Sequence, residues 1–215
     1  MTVIDKRAIA MNITKTRLTF DQFIDQYPED GVIYELVDGE IREMRPIGAH
    51  ENVANLIQRN IDREIERLNL DLVVTRTALV KTVTKEGQEQ GRIPDVSVVD
   101  GEIWDRYLYT YQGFREPLRL AVEVTSTNWE DDYVDKFDEY KGLGISEYWI
   151  VDYLAIASRS YLGRSKVPTV FVYQLINGEY QSQAFRGKDR IISPTFPELE
   201  LTVEQIVAAS QPRIR

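Results

Sequence analysis

The chain has 215 residues, 35 acidic against 26 basic, a net charge of −9, no cysteine and a single histidine. Without cysteine there are no disulfides and no thiolate metal sites, and one histidine excludes a multi-histidine zinc centre, so any bound metal must be held by oxygen, which points to Mg²⁺, Mn²⁺ or Ca²⁺. The acidic balance argues against gripping nucleic acid through phosphates alone but leaves room for basic residues clustered on one face. No run reaches membrane-span length and the N-terminus lacks an apolar signal core, so a soluble cytoplasmic protein without membrane contact is expected.

The length fits one domain, with a polar arm over residues 1–17 and a single domain over 18–215. Thr19, with Gln22 three residues on, forms a capping box for a short helix whose apolar face is Phe20, Phe23, Ile24 and Tyr27; Pro28 and Gly31 end it. Val32 to Val37 and Glu40 to Arg45 flank Asp38-Gly39, which reads as a tight hairpin. Glu35 lies in the first of these strands, where a solvent-facing or salt-bridged carboxylate is the simple reading. Glu51 to Asn69 is a helix with Val53, Leu56, Ile57, Ile61, Ile65 and Leu68 along its buried stripe. His50 precedes it on about the same side; it either packs at the helix start or points toward a sheet. Asn60 and Glu64 fall near the stripe without an assigned role.

Asp71 to Val83 reads as one long strand, or two with a bend. A glycine-bounded turn over 85–91 follows, then Arg92 to Val99 as a second apolar strand, antiparallel to the first, with Asp95 near its start. Gly101 to Pro117 carries Trp104, Tyr107, Tyr109, Tyr111 and Phe114 with Arg106 and Arg115. It reads as a packed surface loop or a dimer contact, with base stacking as the functional alternative. In the next segment Leu118, Leu120, Val122 and Val124 alternate as a buried strand should, and Glu123 sits among them. A carboxylate there is costly unless its charge is compensated, by a metal ion or by an arginine such as Arg92. Glu130 to Lys141 reads as a helix with Tyr133, Phe137 and Tyr140 on one face and Lys136 on its shoulder, stopped before Gly142 and Gly144. Tyr148 to Val151 is the next buried strand and completes a βαβ-like unit. Three strand-like segments follow, Ala155 to Leu162, Thr169 to Ile176 and Glu179 to Phe185, the last two joined at Asn177-Gly178. A loop with Ser193-Pro194 and Phe196-Pro197 leads to a short helix, Thr202 to Ala209.

A Pro94-Asp95 pair, an acid inside a later strand and then a lysine resemble the PD-(D/E)xK nuclease superfamily. The pattern is more closely similar to the Uma-type, restriction-endonuclease-like family. It can be followed through Tyr34-Glu35-Leu36-Val37-Asp38-Gly39-Glu40, His50, Pro94-Asp95-Val96, Val122-Glu123-Val124, Asp135-Lys136 and Glu147-Tyr148-Trp149-Ile150-Val151-Asp152, covering most of the chain from about Leu18 onward. The resemblance implies an α/β (α+β) fold with a restriction-endonuclease-like mixed β-sheet flanked by helices. It implies a metal-dependent endonuclease hydrolysing phosphodiester bonds in nucleic acid, DNA before RNA, with Mg²⁺ (or Mn²⁺) as cofactor. Asp95 and Glu123 would hold the ion, with the Val124 carbonyl as a third oxygen, and Glu35 would be a further acid of the site.

The superfamily's lysine stands two residues after the glutamate, and Thr125 occupies that position here. Lys136 is the best substitute, reaching over from the following helix, with Lys141 as the weaker choice. The competing reading of Lys136 is an exposed ion pair with Asp132, worth about 0.5 kcal/mol. Cutting both strands of a duplex with one site per chain favours a two-fold homodimer. The alternative to an enzyme is a catalytically silent nuclease-fold homologue acting as a binding protein or dimeric scaffold, which Thr125 and the acidic charge favour.

Overall fold

The structure is a computed structural model that describes residues 17–212, so the expected arm, apart from Arg17, lies outside the described residues. In chain order the elements are α1 (Phe20–Asp25), β1 (Tyr34–Val37), β2 (Glu40–Glu43), α2 (Gly48–Leu68), β3 (Leu72–Thr75), β4 (Val80–Val83), β5 (Glu89–Arg92), β6 (Val96–Asp100), α3 (Gly101–Tyr107), β7 (Leu120–Val124), α4 (Lys136–Leu143), β8 (Glu147–Asp152), α5 (Arg159–Leu162), β9 (Thr169–Ile176), β10 (Glu179–Arg186) and α6 (Val203–Ala209). A π-helical turn, Asp131–Asp135, leads directly into α4.

Two sheets result. A six-stranded sheet runs β10-β9-β8-β7-β6-β3 and a four-stranded one runs β2-β1-β5-β4. Among these strands every pairing is antiparallel except β7 with β8, which α4 connects as a βαβ crossover. The alternation along the central strands assigns the two faces. Val96, Val98, Leu120, Val122, Val124, Trp149 and Val151 pack against Val53, Ala54, Ile57, Ile61 and Ile65 of α2 and against Val203 and Ile206 of α6. Val99, Ala121, Tyr148 and Ile150 face the other way, onto Tyr133 and Tyr140. The sheet is therefore covered on both sides, which accounts for the nearly unbroken apolar runs of β7 and β8. In the small sheet Phe20 and Phe23 of α1 pack on Leu36. Gly91 permits that contact, because a Cβ there would stand 3.1 Å from Phe20, 3.2 Å from Phe23 and 3.3 Å from Leu36.

Several local expectations hold. Thr19 and Gln22 form their capping box, Asp38-Gly39 and Asn177-Gly178 turn with positive φ at both residues, and Asn69 ends α2 in the left-handed conformation. Other elements differ. Residues 71–83 form two strands in two different sheets. Pro94, which has no N–H to give a ladder, separates β5 from β6, so Arg92 and Val96 belong to different sheets as well. The aromatic segment after Asp100 begins as α3 and is not a loop throughout. Ala155 to Leu162 is not a strand: Asp152 caps the amides of Ile156 and Ala157, and a single helical turn, α5, follows. Leu68, expected on the buried stripe, is exposed. Among the described residues no helix is long and apolar enough to cross a membrane.

Candidate active site at the junction of the two sheets

The chain crosses between the sheets twice, between β3 and β4 and between β5 and β6. Arg76 lies in the first crossing and Asp95 in the second. The Arg76 guanidinium donates to the Asp95 carbonyl at 3.0 Å, to both carboxylate oxygens of Glu51 at 2.5 and 2.8 Å, and to Asn55 at 3.0 Å. Both crossings are thus tied to the first turns of α2. Glu35, expected to be solvent-facing or salt-bridged unless functional, is buried and accepts the Ile93 N–H at 2.8 Å, so it braces the segment that carries Asp95.

Val96 pairs with Val122 in antiparallel register. Continuing that register by one pair sets Asp95 opposite Glu123, and opposed residues of such a pair have Cβ atoms about 4.5–5.5 Å apart. Asp95 Oδ2 accepts the Val124 N–H at 2.7 Å and lies 3.1 Å from His50 Nε2. Position 50 lies in the first turn of α2, and the histidine is buried and points toward the Asp95 segment. Burial works against a charged imidazole, but the Asp95 hydrogen bond and charge outweigh it, with the Glu51 charge and then the Val124 backbone adding to the effect, and the His50 pKa moves up.

Glu123 is 2 % exposed and both of its oxygens are engaged: Oε1 accepts the Tyr140 hydroxyl at 2.6 Å and Oε2 accepts Lys136 Nζ at 2.8 Å. Lys136 also reaches Asp132 Oδ1 at 3.2 Å. The π-helical turn sets Asp132 and Lys136 facing the sheet together, and the Asp132 carbonyl accepts the Tyr148 hydroxyl at 2.8 Å. The two readings of Lys136 are therefore not exclusive. It makes the ion pair with Asp132, but in the interior, and it points at Glu123. Thr125 Oγ1, at the position of the superfamily lysine, is buried without a hydrogen-bond partner among the described residues. Lys141 lies elsewhere, pairing with the exposed Glu179. Arg92 does not compensate Glu123; it makes a bidentate pair with Glu139 at 2.6 and 2.8 Å.

Charge in this cluster is unbalanced. Burial pushes the Glu123 carboxyl well above the usual carboxylate range; Lys136 opposes the shift, while Asp95, Asp132 and Glu35 reinforce it. Burial also pushes Asp132 up, to about 6. For Lys136 burial works against the charge, and Glu123, Asp132 and Glu35 outweigh it, so the ammonium stays protonated. Lys136, with His50 beside Asp95, thus faces a surplus of acids, and the surplus is relieved by protons on the carboxyls or by a further cation. Among the described residues no three histidine, aspartate or glutamate side chains are grouped to hold a metal ion. The donor set present is the Asp95 and Glu123 pair, which suits an ion such as Mg²⁺ that takes one or two carboxylates and fills its other positions with water and phosphate.

Sequence reasoning had set out Asp95, Glu123, Lys136, Glu35 and Val124, and the fold brings all five to this junction. It missed the Tyr140 hydroxyl and Arg76, and it treated Asp132 only as a rival explanation for Lys136. Tyr140 carried no signal, because an aromatic at a core-facing helix position reads as packing.

The family model Uma2, described as "Putative restriction endonuclease", matches residues 20–204. A solved structure from Anabaena variabilis ATCC 29413, described as "a putative nuclease belonging to DUF820", superposes with a TM-score of 0.64 at 19 % identity, over 90 % of this chain and 99 % of that one. At that identity the likeness is one of fold. A comparison with curated proteins finds no match.

Proposed function

The chain belongs to the Uma2 family of restriction-endonuclease-like proteins, and from that premise we propose that it hydrolyses phosphodiester bonds in nucleic acid, DNA before RNA, at the Asp95–Glu123–Lys136 cluster. The observation that carries this reading is the Lys136 ammonium, buried and 2.8 Å from the Glu123 carboxylate, which itself stands opposite Asp95. Asp95, Glu123 and the Val124 carbonyl would hold Mg²⁺ (or Mn²⁺). When bound, such an ion supplies Lewis-acid stabilisation of charge on the scissile phosphate and lowers the pKa of a bound water.

The chain's own groups do the rest. His50 and the Val124 N–H hold one oxygen of Asp95, so the other would be the one that meets a ligand. Tyr140 fixes Glu123 Oε1. Lys136, held by Asp132, orients the attacking water and stabilises negative charge on the phosphate oxygens. Glu35 acts on the site through the Ile93 amide and through its charge. Cutting a duplex with one such site per chain favours a homodimer.

The test is cleavage of supercoiled plasmid and of labelled single strands with Mg²⁺ or Mn²⁺, comparing the wild type with Glu123→Gln and Lys136→Met. Metal-dependent cleavage lost in both variants is the expected result. Cleavage that survives Glu123→Gln overturns the site. A wild type that neither cleaves nor gains thermal stability from either ion leaves the silent binding protein as the reading.

A further inference from the structure

A second feature borders the Asp95 segment. Between α1 and the start of β1 on one wall, and α3 with the turn after it on the other, runs a groove of about 920 Å³, near the top of the roughly 300–1,000 Å³ range that encloses a ligand or a short segment. Tyr27 lines one wall and Trp104, Tyr107 and Tyr111 the other, with Ile93 contributing to the lining two residues before Asp95. Ile33, Leu108 and Tyr111 expose apolar surface at its edge, Tyr111 to 97 %. Grouped exposure of this kind marks interaction surface more often than scattered single residues do.

The charge of the groove restricts its occupant. Among the described residues its charged lining is Asp25 and Glu29, with no lysine or arginine. Both are exposed, and neither has a hydrogen-bond or ion-pair partner among the described residues. The neighbouring acids differ: Asp21 holds Arg115, Glu116 holds Arg106, and Asp30 holds the Tyr34 hydroxyl. Aromatic faces carry a negative quadrupole, so rings and free carboxylates together attract a cation. Nucleic acid would bring phosphates to two unpaired acids, and a second copy of this chain would bring its own net charge of −9.

We propose that this groove docks a basic segment of a partner protein. An arginine or lysine lies between the aromatic walls with its charged end toward Asp25 and Glu29, and flanking apolar side chains cover Ile33 and Leu108. The surface is separate from the nuclease cluster, and its occupation does not depend on catalysis.

The probe is a fluorescein-labelled synthetic peptide of alternating arginine and leucine, titrated with the full chain by anisotropy. Binding should weaken about tenfold or more in Asp25→Lys/Glu29→Lys and several-fold in Tyr111→Ala, an exposed position whose change spares the core. The control Asp62→Lys/Glu66→Lys makes the same charge change on the exposed face of α2, and it should stay within about twofold of the wild type. Equal loss in the control means diffuse attraction to an acidic protein and overturns the proposal. So does no binding by the wild type, or displacement of the peptide by a single-stranded oligonucleotide whose own binding needs Tyr111. Concentration-dependent self-association abolished by Tyr111→Ala would assign the groove to a second copy and overturn it as well.

Discussion

Helix α4 carries two buried charges three residues apart, and the fold compensates them in opposite ways. Glu139 meets Arg92 in a one-to-one bidentate pair, with the Thr82 hydroxyl donating to the same carboxylate at 2.6 Å. Both carboxylate oxygens of Glu139 are matched there, as a buried ion pair that serves structure requires. Lys136, one turn earlier, faces Glu123 and Asp132 with Asp95 and Glu35 close enough to be felt. That cluster has more acids than cations and keeps carboxyls poised to take up a proton or a cation. Depth of burial does not separate the two sites. Charge balance does, and an imbalance maintained in the interior is what marks a candidate for chemistry.

The largest effect should come from breaking the matched pair. Arg92→Met leaves Glu139 buried with only Thr82 and should cost about 3–5 kcal/mol in urea unfolding, while Arg92→Met/Glu139→Leu should recover much of it. Lys136→Met should cost less, since Glu123 and Asp132 can take up protons once the ammonium is gone, and its cost should shrink further at acid pH. Equal costs for the two single variants, independent of pH, would erase the distinction drawn between the sites. Either loss exceeds the roughly 0.5 kcal/mol that an exposed Lys136–Asp132 pair would be worth.

The pH dependence comes next. In the folded protein Asp132 titrates near 6, against an ordinary value of 3.8. Between those values the folded state keeps a proton that the unfolded chain has released. This group therefore adds stability below about pH 4 that is lost as the pH rises toward 6, a change of at most about 3 kcal/mol. Asp132→Asn should flatten that stretch of the stability curve. An unaltered slope in the variant would remove Asp132 from the cluster's titration.

A smaller effect is expected at His50. Removing the Asp95 partner in His50→Leu should cost about 1–2 kcal/mol and weaken Mn²⁺ binding in calorimetric titration, and His50→Gln, which keeps a donor near the Nε2 position, should restore most of both. If leucine and glutamine behave alike, the histidine only fills space. The smallest effect belongs to Lys141→Ala. Its partner Glu179 is 76 % exposed, so melting should hardly move, by about 0.5 kcal/mol or less, and any cleavage should persist.

The candidate site was legible in the sequence to the extent that each residue was odd in its own setting. Glu123 interrupts an apolar strand, Asp95 follows a proline, and Lys136 sits on the shoulder of an apolar helix face. Tyr140 and Arg76 were not odd in any local sense. A tyrosine on a packed face and an arginine between two strands are ordinary until the residues they meet are known. Asp132 was visible, but i,i+4 spacing from Lys136 describes an exposed pair and a buried one equally well.

What the sequence determined by itself were features set by a few neighbouring residues: the Thr19 and Thr202 helix starts, the two positive-φ hairpin turns, the apolar stripe of α2, and the βαβ crossover around Glu123. These follow from periodicity, capping and turn chemistry, which act over one or two turns of chain. The tertiary structure alone decided that residues 71–83 divide between two sheets, that the chain crosses between them at Arg76 and at Asp95, and that Arg92 pairs with Glu139 and leaves Glu123 to Lys136. The physical reason is that a buried charge is settled by which groups reach it from every packed element. That count exists only after α2, α4 and both sheets have come together.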